Sequence, residues 1–242
     1  MPLNRKRWSL LILSVLALMA ILSLLLHRRE PRYHGKPLSE WLAPLRADYT
    51  QILDSGQWGE NPVSWKDGED AVTAIGTNAI PYLLNELTFK SPFWKRHVPE
   101  FFHRWWKDDA DWKEIPSHQF SGHVGLLALG TNALVALPDL ERLLDDSDNS
   151  KSAQQVIRYL GEKMNPPFGR AADSEDPRDG IRTVTFYCLN HPTPAVRQAA
   201  VKLLCRGYVS TNEVIAKLTI AAKDPAPEVQ REAVKRLETY QK

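Results

Sequence analysis

The sequence predicts an all-α chain: an α-α superhelix, or solenoid, with an N-terminal transmembrane helix and an aromatic-rich insertion. Three observations predict it. Apolar residues recur at helical spacing through most of the 242 residues, and no segment keeps the strict alternation of a strand. Two corners nearly repeat each other, "AIGTNAIPYLL" at Ala74–Leu84 and "ALGTNALVALPDL" at Ala128–Leu140. Towards the C-terminus, "HPTPAVRQAAVKLL" and "DPAPEVQREAVKRL" align at an offset of 33, with Val196 over Val229, Ala200 over Ala233 and Leu204 over Leu237. Short paired helices repeated every few tens of residues cannot bury their own apolar faces, so they must stack on their neighbours.

The N-terminus comes first. "WSLLILSVLALMAILSLLL" runs from Trp8 to Leu26, 19 residues without a charge. At about 1.5 Å per residue, such a helix nearly covers the ~30 Å hydrocarbon layer. A cleaved signal peptide has a shorter apolar core and small residues at its cleavage site. Here Ala17 and Ala20 lie inside the run, and bulky Leu22 and Leu24–Leu26 stand where cleavage would fall. The expected division is a basic flank at 1–7, an uncleaved anchor at 8–26, a linker at 27–37 and a solenoid at 38–242. Residues 1–32 hold six basic side chains and one acid, which leaves 25 basic against 28 acidic in the remainder. The body therefore lacks the clustered cations of a nucleic-acid surface. Arg5, Lys6 and Arg7 nearly balance Arg28, Arg29 and Arg32 across the span. The free amino group tips the positive-inside rule towards a cytoplasmic N-terminus, with the body on the extracytoplasmic side.

Leu38, Trp41, Leu42 and Leu45 fall at i, i+3, i+4 and i+7, the apolar face of a helix starting near Pro37 or Ser39. Residues 51–67, with Gly56, Gly59 and Pro62 and then Gly68, read as a loop. Ala71, Val72, Ala74 and Ile75 give a short helix that Gly76 stops, and Thr77 or Asn78 is placed to cap the next, with Pro81 in its first turn. The second corner repeats this at Gly130, Thr131 and Asn132, before Leu137, Leu140, Leu143 and Leu144. "AQQVIRYLG" from Ala153 reads as a helix stopped by Gly161, followed by a polar, proline-rich loop at 162–180 and a helix at Ile181–Leu189. Ser210 and Glu213 form a capping-box pattern opening the helix Val214–Ala222.

"LGTNALVALPDLERLLDD" resembles the bacterial HEAT-repeat pattern through Leu129, Gly130, Ala133, Ala136, Pro138, Leu140, Leu143, Leu144 and Asp145. "DPAPEVQREAVKRL" is similar to the other half of that repeat, with Asp224, Pro225, Val229, Ala233 and Leu237 in place and Gln230 where Arg is usual. Val196-Arg197 keeps the Arg, and Pro81 departs by coming three residues earlier than Pro138 relative to its glycine. The resemblance covers roughly Asp70–Leu87 and Ser121–Lys242. It implies an α-solenoid, and in that family usually a binding scaffold.

Chemistry is sparse. Neither G-x-x-x-x-G-K-[ST] nor G-x-G-x-x-G surrounds the corner glycines, so they read as structural. "DDSDNSKSAQQV" imitates the start of a calcium loop, but Lys151 and Ile157 replace its required Gly and Glu. His97, His103, His118 and His123 lack the H-x-x-x-H spacing of a zinc site, and Cys188 and Cys205 fit no zinc pattern. Both thiols sit in apolar helical contexts; a disulfide between them stays open. No G-x-S-x-G elbow occurs. Neither metal, cofactor nor small-molecule substrate is expected.

The corners lie 54 residues apart rather than 33 because of an insertion at 89–121, "FKSPFWKRHVPEFFHRWWKDDADWKEIPSHQFS". Its aromatics and cations can pack the early repeats, present a partner surface rich in Trp and Arg, or lie on a bilayer. Interleaved acids at Asp108, Asp109, Asp111 and Glu114 weaken the bilayer reading and nucleic acid alike. The expected function is a non-enzymatic, membrane-anchored scaffold for another protein, with Trp94, Arg104, Trp105 and Trp106 facing the partner. The competing class is a HEAT-like enzyme or ligand-binding solenoid, lyase-like, with a site near the insertion.

Overall fold

The computed structural model describes residues 30–55, 62–90, 111–164 and 178–240. The expected anchor at 8–26 lies outside them; among the described residues no single helix is long and apolar enough to cross a membrane. The fold is all-α apart from a two-residue hairpin, β1 (Arg32–Tyr33) and β2 (Lys36–Pro37), in the stretch expected to be only a linker. The helices are α1 (Leu38–Ser55), α2 (Pro62–Ile75), α3 (Ile80–Leu87), α4 (Asp111–Ala128), α5 (Leu137–Leu143), α6 (Ser150–Met164), α7 (Arg178–Cys188), α8 (Pro194–Leu204), α9 (Thr211–Ala221) and α10 (Pro227–Tyr240).

Packing follows chain order. Helix α1 lies against α2 and α4, α3 against α4, α4 and α5 against α6, α6 against α7, and α8 against α5, α7 and α10. One core runs from Leu38, Leu42 and Leu45 through Leu83, Leu126, Leu137, Leu140, Ile157 and Val184 to Leu203. A second gathers Val214, Leu218, Val229 and Ala233. Helix α8 joins the two, giving Val196, Ala200 and Leu203 to the first and Val201 and Leu204 to the second.

The two corners share one construction. Gly76 (φ +65°) and Gly130 (φ +56°) take the left-handed conformation that L side chains avoid. A 3-10 turn follows directly, Gly76–Ala79 in the first corner and Gly130–Ala136 in the second. Because that turn uses i→i+3 backbone bonds, Thr77, Asn78, Thr131 and Asn132 are not needed as caps, and no side chain caps α3 or α5. Ser210 is the N-cap of α9 as its position predicts, but its hydroxyl donates to Glu213 Oε2 at 2.7 Å instead of accepting a backbone N–H.

Four further expectations are corrected. The supposed loop at 51–67 is helical on both sides of residues 56–61, since α1 extends to Ser55 and α2 starts with Pro62 in its first turn. Gly68 lies inside α2, where a Cβ would sit 3.0 Å from the Trp41 carbonyl; it permits close approach to α1. Gly161 does not stop α6, which continues to Met164, and α7 begins at Arg178, so both ends of the loop expected at 162–180 are helical. Residues 111–121 belong to α4, where Ser121, Gly122 and Gly125 place small groups against α3.

The Val196-Arg197 and Asp224-Pro225 pairs of the sequence meet in space. Arg197 on α8 holds Asp224, before α10, through Nε–Oδ2 and Nη2–Oδ1 contacts of 2.8 Å each. Asp224 Oδ1 also accepts from the Ala226 N–H, and Arg197 Nη1 donates to the His191 carbonyl. Hydrogen bonding to Arg197 holds the Asp224 carboxyl below its usual range.

Candidate functional site

Helices α3 and α4 flank residues 91–110 in the sequence, and a polar cluster sits between those two helices. Glu86, on the buried face that also carries Leu83 and Leu87, is 4% exposed. Its Oε2 accepts from Arg46 Nη1 at 2.9 Å, His118 Nδ1 at 2.8 Å and Ser121 Oγ at 2.8 Å. The Tyr82 phenol lies in the field of the same Arg46–Glu86 pair. Burial by itself pushes the Glu86 carboxyl up. The His118 hydrogen bond, the charges of His118 and Arg46 and the Ser121 hydroxyl outweigh that and hold it below the carboxylate range. Burial, then the Glu86 charge, drives the Tyr82 phenol far above its ordinary value.

Ser, His and Glu together invite comparison with a nucleophilic triad, and the geometry does not match one. A triad needs the serine oxygen on one imidazole nitrogen and the acid on the other. Here Ser121 and His118 both donate to the same glutamate oxygen, and Ser121 Oγ also donates to the His118 carbonyl at 2.9 Å. Ser121 is 0% exposed. Arg46 occupies the position where a cation would meet Glu86. Among the described residues no group of three His, Cys, Asp or Glu is placed to hold a metal ion.

What the cluster does is fix the foot of the insertion. Phe89 stacks on the His118 ring, centroids 4.0 Å apart and planes 15° apart. Lys90 Nζ donates to Asp148 Oδ2 at 3.0 Å and lies 3.8 Å from Asp146. Phe120 meets Trp65 edge-on at 5.5 Å. The calcium-like turn is thus bound to the insertion's first lysine. Trp94, Arg104, Trp105 and Trp106 lie outside the described residues, as do His97 and His103. Glu86 was missed by sequence reasoning; its signal is an acid at Leu83+3, inside an otherwise apolar helix face.

A second charged cluster bridges α5, α8 and α10. Arg206 donates to Glu141 Oε1 at 2.6 Å and to both oxygens of Asp145 at 2.9 and 3.0 Å. These groups, with Arg142, Lys202 and Arg236, line a cleft of 390 Å³. Arg236 pairs with Glu232 and Arg142 with Asp139, so most of the positive charge is balanced locally. The cluster ties the end of α5 to the end of α8.

Burial also sets the pKa of two thiols and one histidine. Cys188 and Cys205 are free thiols; burial pushes the first up to about 12 and raises the second. His123, on α4, meets Tyr159 edge-on at 5.5 Å, and burial lowers its pKa to about 4. An unfolded histidine takes its proton near 6.5. Between these values the unfolded chain binds the extra proton, so stability rises with pH, is complete above about 6.5 and falls away towards 4. Urea unfolding is expected to show a loss of about 2 kcal/mol between pH 7 and 5 from this group, which His123→Phe removes. Identical pH dependence in the two proteins would refute the assignment.

Compared with protein-family models, curated proteins and solved structures, the chain matches none.

Proposed function

We propose that this chain is a membrane-anchored, HEAT-like α-solenoid that binds another protein through the segment 91–110 and carries no chemistry of its own. The carrying observation is the footing of that segment. Phe89–His118 stacking and the Lys90–Asp148 pair hold its start, and α4, packed on α1, α2 and α3, holds its end. A segment with four of the chain's eight Trp within or beside it, on a rigid base, suits a partner surface: Trp and Arg supply much of the binding energy at interfaces. Chain-order packing, the shared corner construction and the Arg197–Asp224 bridge support the solenoid reading. The uncharged run Trp8–Leu26 supports the anchor, with the body on the extracytoplasmic side.

The test is affinity capture of the full chain from detergent-solubilised membranes, comparing wild type with Trp105→Ala/Trp106→Ala. Partner recovery is expected to fall at least tenfold, while α-helical circular dichroism is unchanged. Equal recovery of every co-purifying protein would refute the segment as the binding surface.

A further inference from the structure

The hairpin between the anchor and α1 is built as more than a linker. His34 (φ +48°) and Gly35 (φ +79°) form its turn, both left-handed, as a two-residue hairpin with native strand twist requires. Arg32 pairs with Pro37 and Tyr33 with Lys36. The Leu38 N–H donates to the Pro31 carbonyl at 2.9 Å, the Ser39 N–H donates to Glu30, and Trp41 Nε1 donates to the Tyr33 carbonyl at 3.1 Å. Tyr33 meets Trp41 edge-on at 5.5 Å, and Lys36 Nζ lies 5.3 Å from the Trp41 ring centre. The hairpin is therefore locked to α1, with Arg32, His34 and Lys36 exposed and two half-buried aromatic rings beside them.

Chain length fixes where this unit can be. Five residues, 27–31, separate Leu26 from Arg32, so at ~3.3–3.6 Å per residue the hairpin lies within about 22 Å of the end of the apolar run. Two of those five are Arg28 and Arg29. Glu30, whose carboxylate accepts the Ser39 N–H, and exposed Glu40 offset two of the four cations Arg28, Arg29, Arg32 and Lys36, which leaves the stretch net positive. Basic residues beside a membrane span are drawn to anionic headgroups, and Tyr and Trp favour the same layer.

Resting on the anchor reading above, we propose that the 30–41 hairpin unit docks on the anionic headgroup surface of the bilayer. The test uses the full chain reconstituted in vesicles of zwitterionic lipid, in vesicles with one quarter anionic lipid, and in neutral detergent micelles. A membrane-permeant acetylating reagent is applied briefly, and modification of Lys36 is read by mass spectrometry against exposed Lys151 and Lys223. Lys36 is expected to react at least threefold more slowly in anionic vesicles than in micelles, the reference lysines staying level, and Arg32→Glu is expected to restore its reactivity. Lys36 tracking the references in every medium overturns the proposal, as does equal protection in the two vesicle types. Alkaline carbonate extraction separates the two readings. Retention in the pellet with an unprotected Lys36 refutes the hairpin contact alone, whereas release of the chain refutes the anchor and the contact together.

Discussion

Gly161→Ala is expected to destabilise the protein by about 3 kcal/mol or more, although alanine is the better helix former. Helices α6 and α7 cross with their backbones in contact. A Cβ at Gly161 would lie 1.9 Å from the Gly180 carbonyl oxygen and 2.6 Å from its carbon. Reciprocally, a Cβ at Gly180 would lie 2.3 Å from the Arg158 carbonyl oxygen. Neither obstacle is a side chain that can swing aside, so the helices must separate and loosen Ile157, Leu160, Ile181 and Val184, all buried around the crossing. Helix propensity returns only ~1 kcal/mol to alanine, well short of that loss. Thermal unfolding should therefore shift down by about 6–12 °C in a chain of this size. Gly76→Ala is the matched control, because a Cβ there meets nothing within 4 Å and only its positive φ resists substitution. It should lose about 1 kcal/mol. A Gly161→Ala protein that melts with wild type would show that the crossing is not close-packed.

That crossing also marks where the sequence could be read and where it could not. Gly76 and Gly130 were legible as corners because each is followed by a proline and a leucine-rich face, so the local signals agree. Helices α8 and α10 were legible for the same reason, each opening on a proline after an extended residue or a turn. Gly68 and Gly161 carry the identical residue for a different purpose. A glycine that ends a helix and one that admits a neighbouring helix look alike until the neighbour is known, and the neighbour of Gly161 comes after the polar stretch at 165–177. The insertion shows the same limit. Its aromatic content drew attention to 89–121 as one unit, yet 111–121 opens a core helix whose small face, Ser121 to Gly125, only makes sense against α3. Glu86 was hidden by its surroundings in sequence, since the three groups that neutralise or bind it, Arg46, His118 and Ser121, are 32 to 40 residues away.

Glu86→Leu is expected to be the most disruptive single change at the foot of the insertion. It leaves Arg46, His118 and Ser121 aimed at an alkyl group. Removing one member of a buried ion pair loses about 3–5 kcal/mol, because the other charge stays buried without compensation. Glu86→Gln keeps an acceptor and the shape but not the charge, and should lose less than Glu86→Leu. Removing both charges by Arg46→Met/Glu86→Leu should recover a substantial part of the loss, since the desolvation of Arg46 goes with its charge. Acid supplies an independent reading. The folded Glu86 carboxyl titrates below its unfolded value, so its contribution is complete above the unfolded pKa of about 4.3 and is lost as pH falls through the lower folded value. Wild type should thus weaken more steeply than Glu86→Gln below about pH 4, on top of the His123 loss at higher pH. The cluster also holds His118 beneath Phe89, so Glu86→Leu should weaken capture of the protein partner under conditions where the body remains folded. A Glu86→Leu protein with wild-type stability, or a double variant no more stable than Glu86→Leu, would refute the ion pair as the element that fixes the foot of the insertion.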